Sequence, residues 1–311
     1  MTRTRERAMV PQADFRSYYG RPILKEPTWH ALDIAGYLFT GGLAGGASLL
    51  GAAADASGRP ALARVARYGA TGGLSLSLVG LIHDLGRPER FVNMLRVVKP
   101  TSPMNLGSWL LAAYGPLAVA AAAGELAASA GVLPGAARNL ARVAGLGAAG
   151  LGAGVATYTA VLVADTAAPA WHDAYEDLPI LFAGSAAAAA GGLGLVGAPV
   201  DQALPASVFA VTGAAAELAA SHRIEHAPRL SSEAYRTGRA GVLMKAARIA
   251  TVAGAIGAAT VARRGRTGAT LSGAALLAGS ALARFGVFAA GRQSTRDPKY
   301  VIVPQHQANE R

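Results

Sequence analysis

The chain has no cysteine and little charge for its length. Of its 311 residues only 15% are charged, against about 25% in an ordinary soluble domain. The missing cysteine excludes disulfides, cysteine-ligated iron–sulfur clusters and covalently attached c-type haem within this chain. The missing charge, with 52% hydrophobic residues, points to a membrane protein. The net charge of +11 would raise nucleic acid as a partner. The basic residues, however, sit between apolar runs and form no stripe with interleaved aromatics, so the partner they indicate is a membrane surface, not nucleic acid.

What is present is a series of long apolar runs. Ile34–Ala54, Tyr68–Ile82, Met104–Gly124, Val143–Ala164, Leu178–Val200 and Thr267–Ala283 contain no charged residue. Two more are interrupted: Ala203–Ser221 by Glu217, and Gly241–Ala262 by Lys245 and Arg248. A membrane-spanning helix needs about 20 mostly apolar residues, and a soluble bundle would need polar faces at helical period, which these runs lack. The expected fold is an all-α integral membrane protein with eight transmembrane helices. Residues 1–30 are polar and basic with no apolar stretch, so the first span itself is expected to direct insertion. Small-residue runs such as GGLAGG (Gly41–Gly46) and GLGAAGLGAG (Gly145–Gly154) read as close helix–helix packing. They do not follow a strand, as a dinucleotide-binding loop would.

Eight spans put both termini on one side, called side A. That side receives the arm, the Leu81–Trp109 connection, Asp165–Asp177, Ser221–Arg239 and the tail; the links on the opposite side B are mostly shorter. Long segments gathered on one face indicate that something docks there. Alternation also brings six rare polar groups to side A within the first four helices: Asp33, Tyr37, His83, Asp84, Tyr158 and Asp165. Each acid alone reads equally well as an interfacial end-cap, because an acid at a helix centre costs roughly 2.5–3.5 kcal/mol. Together they outline a polar pocket just under one surface, fit to bind a headgroup and exchange protons with water.

Further candidates are weaker. His222 and His226 have metal-ligand spacing but lie at a span end beside Arg223 and Glu225, the setting of an interfacial cap. Glu217, Lys245, Arg248 and Arg284 could line a second polar path; for Arg284, snorkelling to the interface is the preferred reading. Trp29, Trp109 and Trp171 lie near span ends on side A, as interface anchors do.

The wording of several stretches is familiar. YYGRPILKEPTW, YLFTGGLAGG, DLGRPERFVNMLRVVKPTSPMNLGSW, TYTAVLVADTAAPAWHD and LPILFAGSAAA, in this order and spacing from Tyr18 to Ser185, resemble the NrfD family of polysulfide-reductase-type membrane subunits. The last third is similar mainly in hydropathy. The resemblance implies two four-helix bundles without haem: a first over residues 31–167 holding a quinone site, and a second over residues 168–292. An arm over 1–30 and a tail over 293–311 flank them. It implies a quinone-interacting anchor subunit of a respiratory oxidoreductase in a bacterial inner membrane. The quinone, of menaquinone type, would exchange electrons with a ferredoxin-like iron–sulfur subunit, and through it with a molybdopterin or other catalytic subunit. Carried over by position, the headgroup ligands fall on Asp33, Tyr37 and Tyr158. Relatives can carry asparagine and histidine where this chain has Asp33 and Tyr37, a departure in ligand chemistry. Asp84, in a stretch resembling ESPARF, would serve a proton path, with His83 beside it as a further proton carrier that has no family counterpart.

The rival from another class is a secondary transporter or ion channel, which would show inverted repeats and paired broken helices around a midplane site; the two halves of the sequence do not echo each other. An excess of Lys and Arg on side A makes that side cytoplasmic by the positive-inside rule.

Overall fold

The computed structural model describes residues 23–309. Residues 1–22 of the expected arm, including the Tyr18–Pro22 part of the family-like wording, and residues 310–311 of the tail lie outside the described residues. No strand occurs among the described residues.

All eight expected spans are helices long and apolar enough to cross a membrane. They are α1 (Ala31–Ala56), α2 (Pro60–Asp84), α3 (Pro103–Ser129), α4 (Pro134–Ala164), α5 (Leu178–Gly197), α6 (Leu204–His226), α7 (Gly238–Ala259) and α8 (Arg266–Arg296). Most reach beyond the apolar runs at one or both ends, and three of them start on a proline, Pro60, Pro103 and Pro134. Proline lacks an N–H that would go unpaired there and its φ already suits a helix. Each of the eight helices runs unbroken, so the broken helix pair a transporter would need is missing among the described residues.

Packing follows the small residues. α1 lies against α2, α4 and α5; α3 pairs with α4, α5 with α6 and α8, and α7 with α8. Adjacent glycines of GGLAGG give α1 two close faces. A Cβ on Gly45 would come within 2.3 Å of the Gly152 carbonyl oxygen on α4, and one on Gly46 within 2.5 Å of the Ala186 carbonyl oxygen on α5. The apolar core therefore continues from Ile34, Leu38, Ala160 and Val163 into Leu178, Leu181 and Phe182.

The connections differ as expected in length. On side B they are short turns; on side A they carry the short helices Pro88–Leu95, Pro169–Asp173 and Leu230–Tyr235. Glu26 accepts from Arg292 and Arg296 at the end of α8, so the segment before α1 and the end of α8 share that side. The hydrogen bond from Arg296 is the strongest influence on the Glu26 carboxyl and, with Arg292, holds it below the ordinary glutamate range although burial opposes them.

Two side A connections are folded into the protein itself. Tyr235 donates to the Ala170 carbonyl at 2.9 Å and Ser231 to Asp173 at 2.5 Å, tying the Leu230–Tyr235 turn to the Pro169–Asp173 helix. Trp171 is fully buried, its Nε1 donating to the Val287 carbonyl at 2.7 Å and its ring between Trp29 and Phe288. That corrects its expected place as an interface anchor: the helix Pro169–Asp173 turns the indole inward, where its N–H finds a carbonyl. Trp109, by contrast, is partly exposed and donates to the Val97 carbonyl at 3.2 Å.

On side B, Arg67 is buried at 7% exposure between Asp55 and Glu125, each 2.5 Å away, with Arg64 on the far side of Glu125 at 3.1 Å. The cluster joins α1, α2 and α3. Removing the central cation leaves two half-buried carboxylates facing each other. Arg67→Met is expected to lower stability by about 3 kcal/mol, read as an earlier thermal transition of the protein in detergent; Arg64→Met, on the exposed flank, is expected to change it little.

Candidate functional site

Asp33 stands in the first turn of α1, where the helix dipole favours an acid. Asp84 ends α2, where the dipole disfavours one. Its compensation comes from α1: the His30 backbone N–H donates to Asp84 Oδ1 at 2.9 Å, and the His30 ring Nδ1 lies 3.3 Å from the same oxygen. His83 Nδ1 is in turn 2.9 Å from Asp33 Oδ2. The ends of α1 and α2 are thus cross-linked by two histidine–aspartate pairs, both carboxylates mostly buried and both imidazoles exposed. His30 is the member the sequence reading missed. Its signal was its position three residues before Asp33, one helical turn away.

One turn deeper, Tyr37 on α1 and Tyr158 on α4 hydrogen-bond each other through their hydroxyls. Both line a cavity of about 90 Å³. Its walls are mostly apolar, with Trp29, Leu81, Met94, Met104 and Leu111 among them, and Asp84 and Ser108 also line it. Gly107 makes room for the second tyrosine: a Cβ there would meet the Tyr158 ring at 2.4 Å. Asp33 is turned to His83 and is not among the residues lining the cavity.

Asp165 does not join this cluster. It is exposed just past the end of α4: seven positions on from Tyr158 it would share that tyrosine's helix face, but it stands at the C-cap, where the backbone leaves helical geometry. Sequence position placed it at the same end of the bundle as Tyr158 but did not show that the helix stops one residue short of it.

The Leu85–Ser102 connection forms one wall. Asn105, at the start of α3, holds it there: its side-chain oxygen accepts from the Lys99 N–H at 2.6 Å, and its side-chain nitrogen donates to the Met94 and Val97 carbonyls, each at 2.9 Å. No expectation rested on Asn105; a single amide after three prolines gives no warning that the backbone of three residues is fastened to it. Arg87, Arg90, Arg96 and Lys99 all face outward, as do Val92, Val97 and Val98.

The weaker candidates separate as well. His222 and His226 stack on each other, and His226 Nδ1 meets the His222 carbonyl at 2.9 Å. Arg284 does not snorkel. It is fully buried, donating to the Phe182 carbonyl at 2.7 Å with its guanidinium 3.6 Å above the Phe182 ring. Its place on α8 faces α1 and α5, and no path to the interface is open to it.

The family description "Polysulphide reductase, NrfD" matches residues 22–203, more than half of the chain and all of the four helices that build this cavity. The chain belongs to the NrfD family. A search of curated proteins finds no match. As an NrfD protein with eight membrane-spanning helices, the chain is a multi-pass membrane subunit of a respiratory oxidoreductase complex. The matched region of this NrfD chain ends before α6, so the polar groups of α6 to α8 lie outside it.

Proposed function

We propose that this NrfD chain is the quinone-interacting anchor of its complex, exchanging electrons between a membrane quinone of menaquinone type and an iron–sulfur partner, with coupled proton transfer. The observation that carries this reading is the tyrosine pair at the apolar cavity. In a hydroxyl–hydroxyl bond only one hydrogen is used, so the accepting tyrosine keeps an O–H for a third group. A quinone carbonyl is an acceptor of the right kind, and the apolar walls suit the rest of its ring. The cavity of about 90 Å³ is tight for a whole headgroup, and the unbranched Met94 and Met104 are side chains that can yield.

Quinone reduction takes two electrons, delivered by the partner, and two protons, delivered by the protein or its water. Tyr37 and Tyr158 orient the ring and donate. Asp84, at the cavity edge and held by His30, is placed to pass protons inward, and the Asp33–His83 pair lies beside it at the surface. The exposed patch of Val92, Val97 and Val98 among four basic residues suits an iron–sulfur partner of ferredoxin type with an acidic face, beyond which a molybdopterin or other catalytic subunit would lie. With the basic excess on side A, that face is cytoplasmic in a bacterial inner membrane.

Asp84→Asn is expected to slow quinone-linked turnover of the assembled complex about tenfold or more while leaving quinone affinity and activity with an artificial acceptor nearly intact. Equal losses with both acceptors would assign Asp84 to assembly instead. A photoreactive naphthoquinone should label α1 to α4; labelling confined to α6–α8 would place the site elsewhere.

A further inference from the structure

A second set of buried polar groups lies outside the region matched to the family. Glu217, Ser221 and Glu225 recur every fourth residue along α6, so they form one stripe, and all three are buried, at 3%, 7% and 5% exposure. At the side A end, Ser221 donates to Glu225 Oε1 at 3.0 Å and Glu225 is ion-paired with Arg248 of α7. Both charged partners line a cavity of about 280 Å³ with His226, Tyr235 and Lys245, reached from side A. At the inner end, Glu217 Oε1 accepts from Thr251 of α7 at 2.9 Å, and the Ser185 hydroxyl of α5 also faces the carboxyl.

The inner end is not satisfied. Glu217 Oε2 and both Nε and Nη1 of Arg284 are buried without a hydrogen-bond partner. Arg284 is the charged group that faces Glu217 among the described residues, yet the two make no direct ion pair. A carboxylate and a guanidinium left with unused hydrogen-bonding capacity at mid-membrane depth are costly. The arrangement becomes reasonable if the gap holds water and the carboxyl takes up and releases a proton.

We propose that Glu217 is a proton-binding site loaded from side A through the Glu225–Ser221 stripe, with Arg284 as its fixed counter-charge. A proton from water in the 280 Å³ cavity passes along the stripe to the Glu217 carboxylate, and leaves by the same route. Arg284 keeps its own proton throughout, so the site alternates between net zero and net +1. That change is felt beyond the second half of the chain. Arg284 Nη2 lies against α1, 3.1 Å from where a Cβ on Gly42 would stand, and α1 also carries Tyr37. The link to quinone chemistry rests on the function proposed above; the proton site itself does not.

The test is difference infrared spectroscopy on the whole complex in lipid nanodiscs. The wild type should show a protonated-carboxyl band that titrates with pH, shifts in D2O, and is lost in Glu217→Gln, which keeps the shape and the bond to Thr251. Glu225→Gln should keep the band but slow its hydrogen–deuterium exchange about a hundredfold, the effect of removing one positioned proton-transfer group. Should Glu217→Gln fail to accumulate, Ser221→Ala offers a milder break in the stripe and should also slow the exchange. A band unchanged in Glu217→Gln, or exchange unchanged in both Glu225→Gln and Ser221→Ala, overturns the proposal. Reduction of a bound naphthoquinone should shift the band; a titrating band indifferent to quinone overturns the link to α1. If the quinone itself binds elsewhere, loss of turnover on Tyr158→Phe will be missing while the Glu217 band remains, so the two failures are distinguishable.

Discussion

Tyr158→Phe is expected to lower quinone-linked turnover about ten- to a hundredfold while leaving the protein folded. The substitution removes one hydroxyl and almost no volume, and the ring keeps its place beside Gly107. What is lost is the Tyr37–Tyr158 bond and with it the donor aimed at the cavity. A hydrogen bond to a group that develops charge contributes about 1.5–3 kcal/mol, which gives that range if it acts in the transition state. Tyr37→Phe should behave alike, and the double variant should fall short of the product of the two, since the hydroxyls act as a pair. Steady-state turnover with a short-chain naphthoquinone, set against an artificial acceptor, makes the comparison. Wild-type turnover in both single variants would remove the pair from the reaction.

Gly45→Val is expected to abolish the folded protein. The new Cβ would stand 2.3 Å from the Gly152 carbonyl oxygen, and a backbone oxygen cannot swing aside as a side chain can. The helices α1 and α4 would have to separate, losing contact along their length and pulling Tyr37 from Tyr158; overpacking of this kind costs several kcal/mol. Gly150→Ala is the matched control, because nothing lies within 4 Å of a Cβ there. Monodisperse protein recovered from membranes is the measurement: the control should match wild type and Gly45→Val should yield none. Recovery of folded Gly45→Val would mean that α1 and α4 are not held at this distance.

The two expectations draw on different layers of information. That eight helices cross the membrane, and that Asp33, Tyr37, His83, Asp84 and Tyr158 arrive on one side, was determined by the sequence alone. Hydrocarbon thickness fixes span length, charge is excluded from the interior, and alternation then assigns every helix end to a side. The wording from Tyr18 to Ser185 pointed to the family as well, and the family match bears it out. Rotation of each helix about its axis was decided only by the tertiary structure. When the lipid and the protein core are both apolar, hydropathy has no preferred face to report, and rotation is set by which small residues let two backbones meet. That is why Arg284 read as an interfacial residue yet points at α1. Contacts across long separations were equally out of reach: His30 on Asp84 and Trp171 on Val287 each join segments whose approach depends on packing elsewhere in the chain.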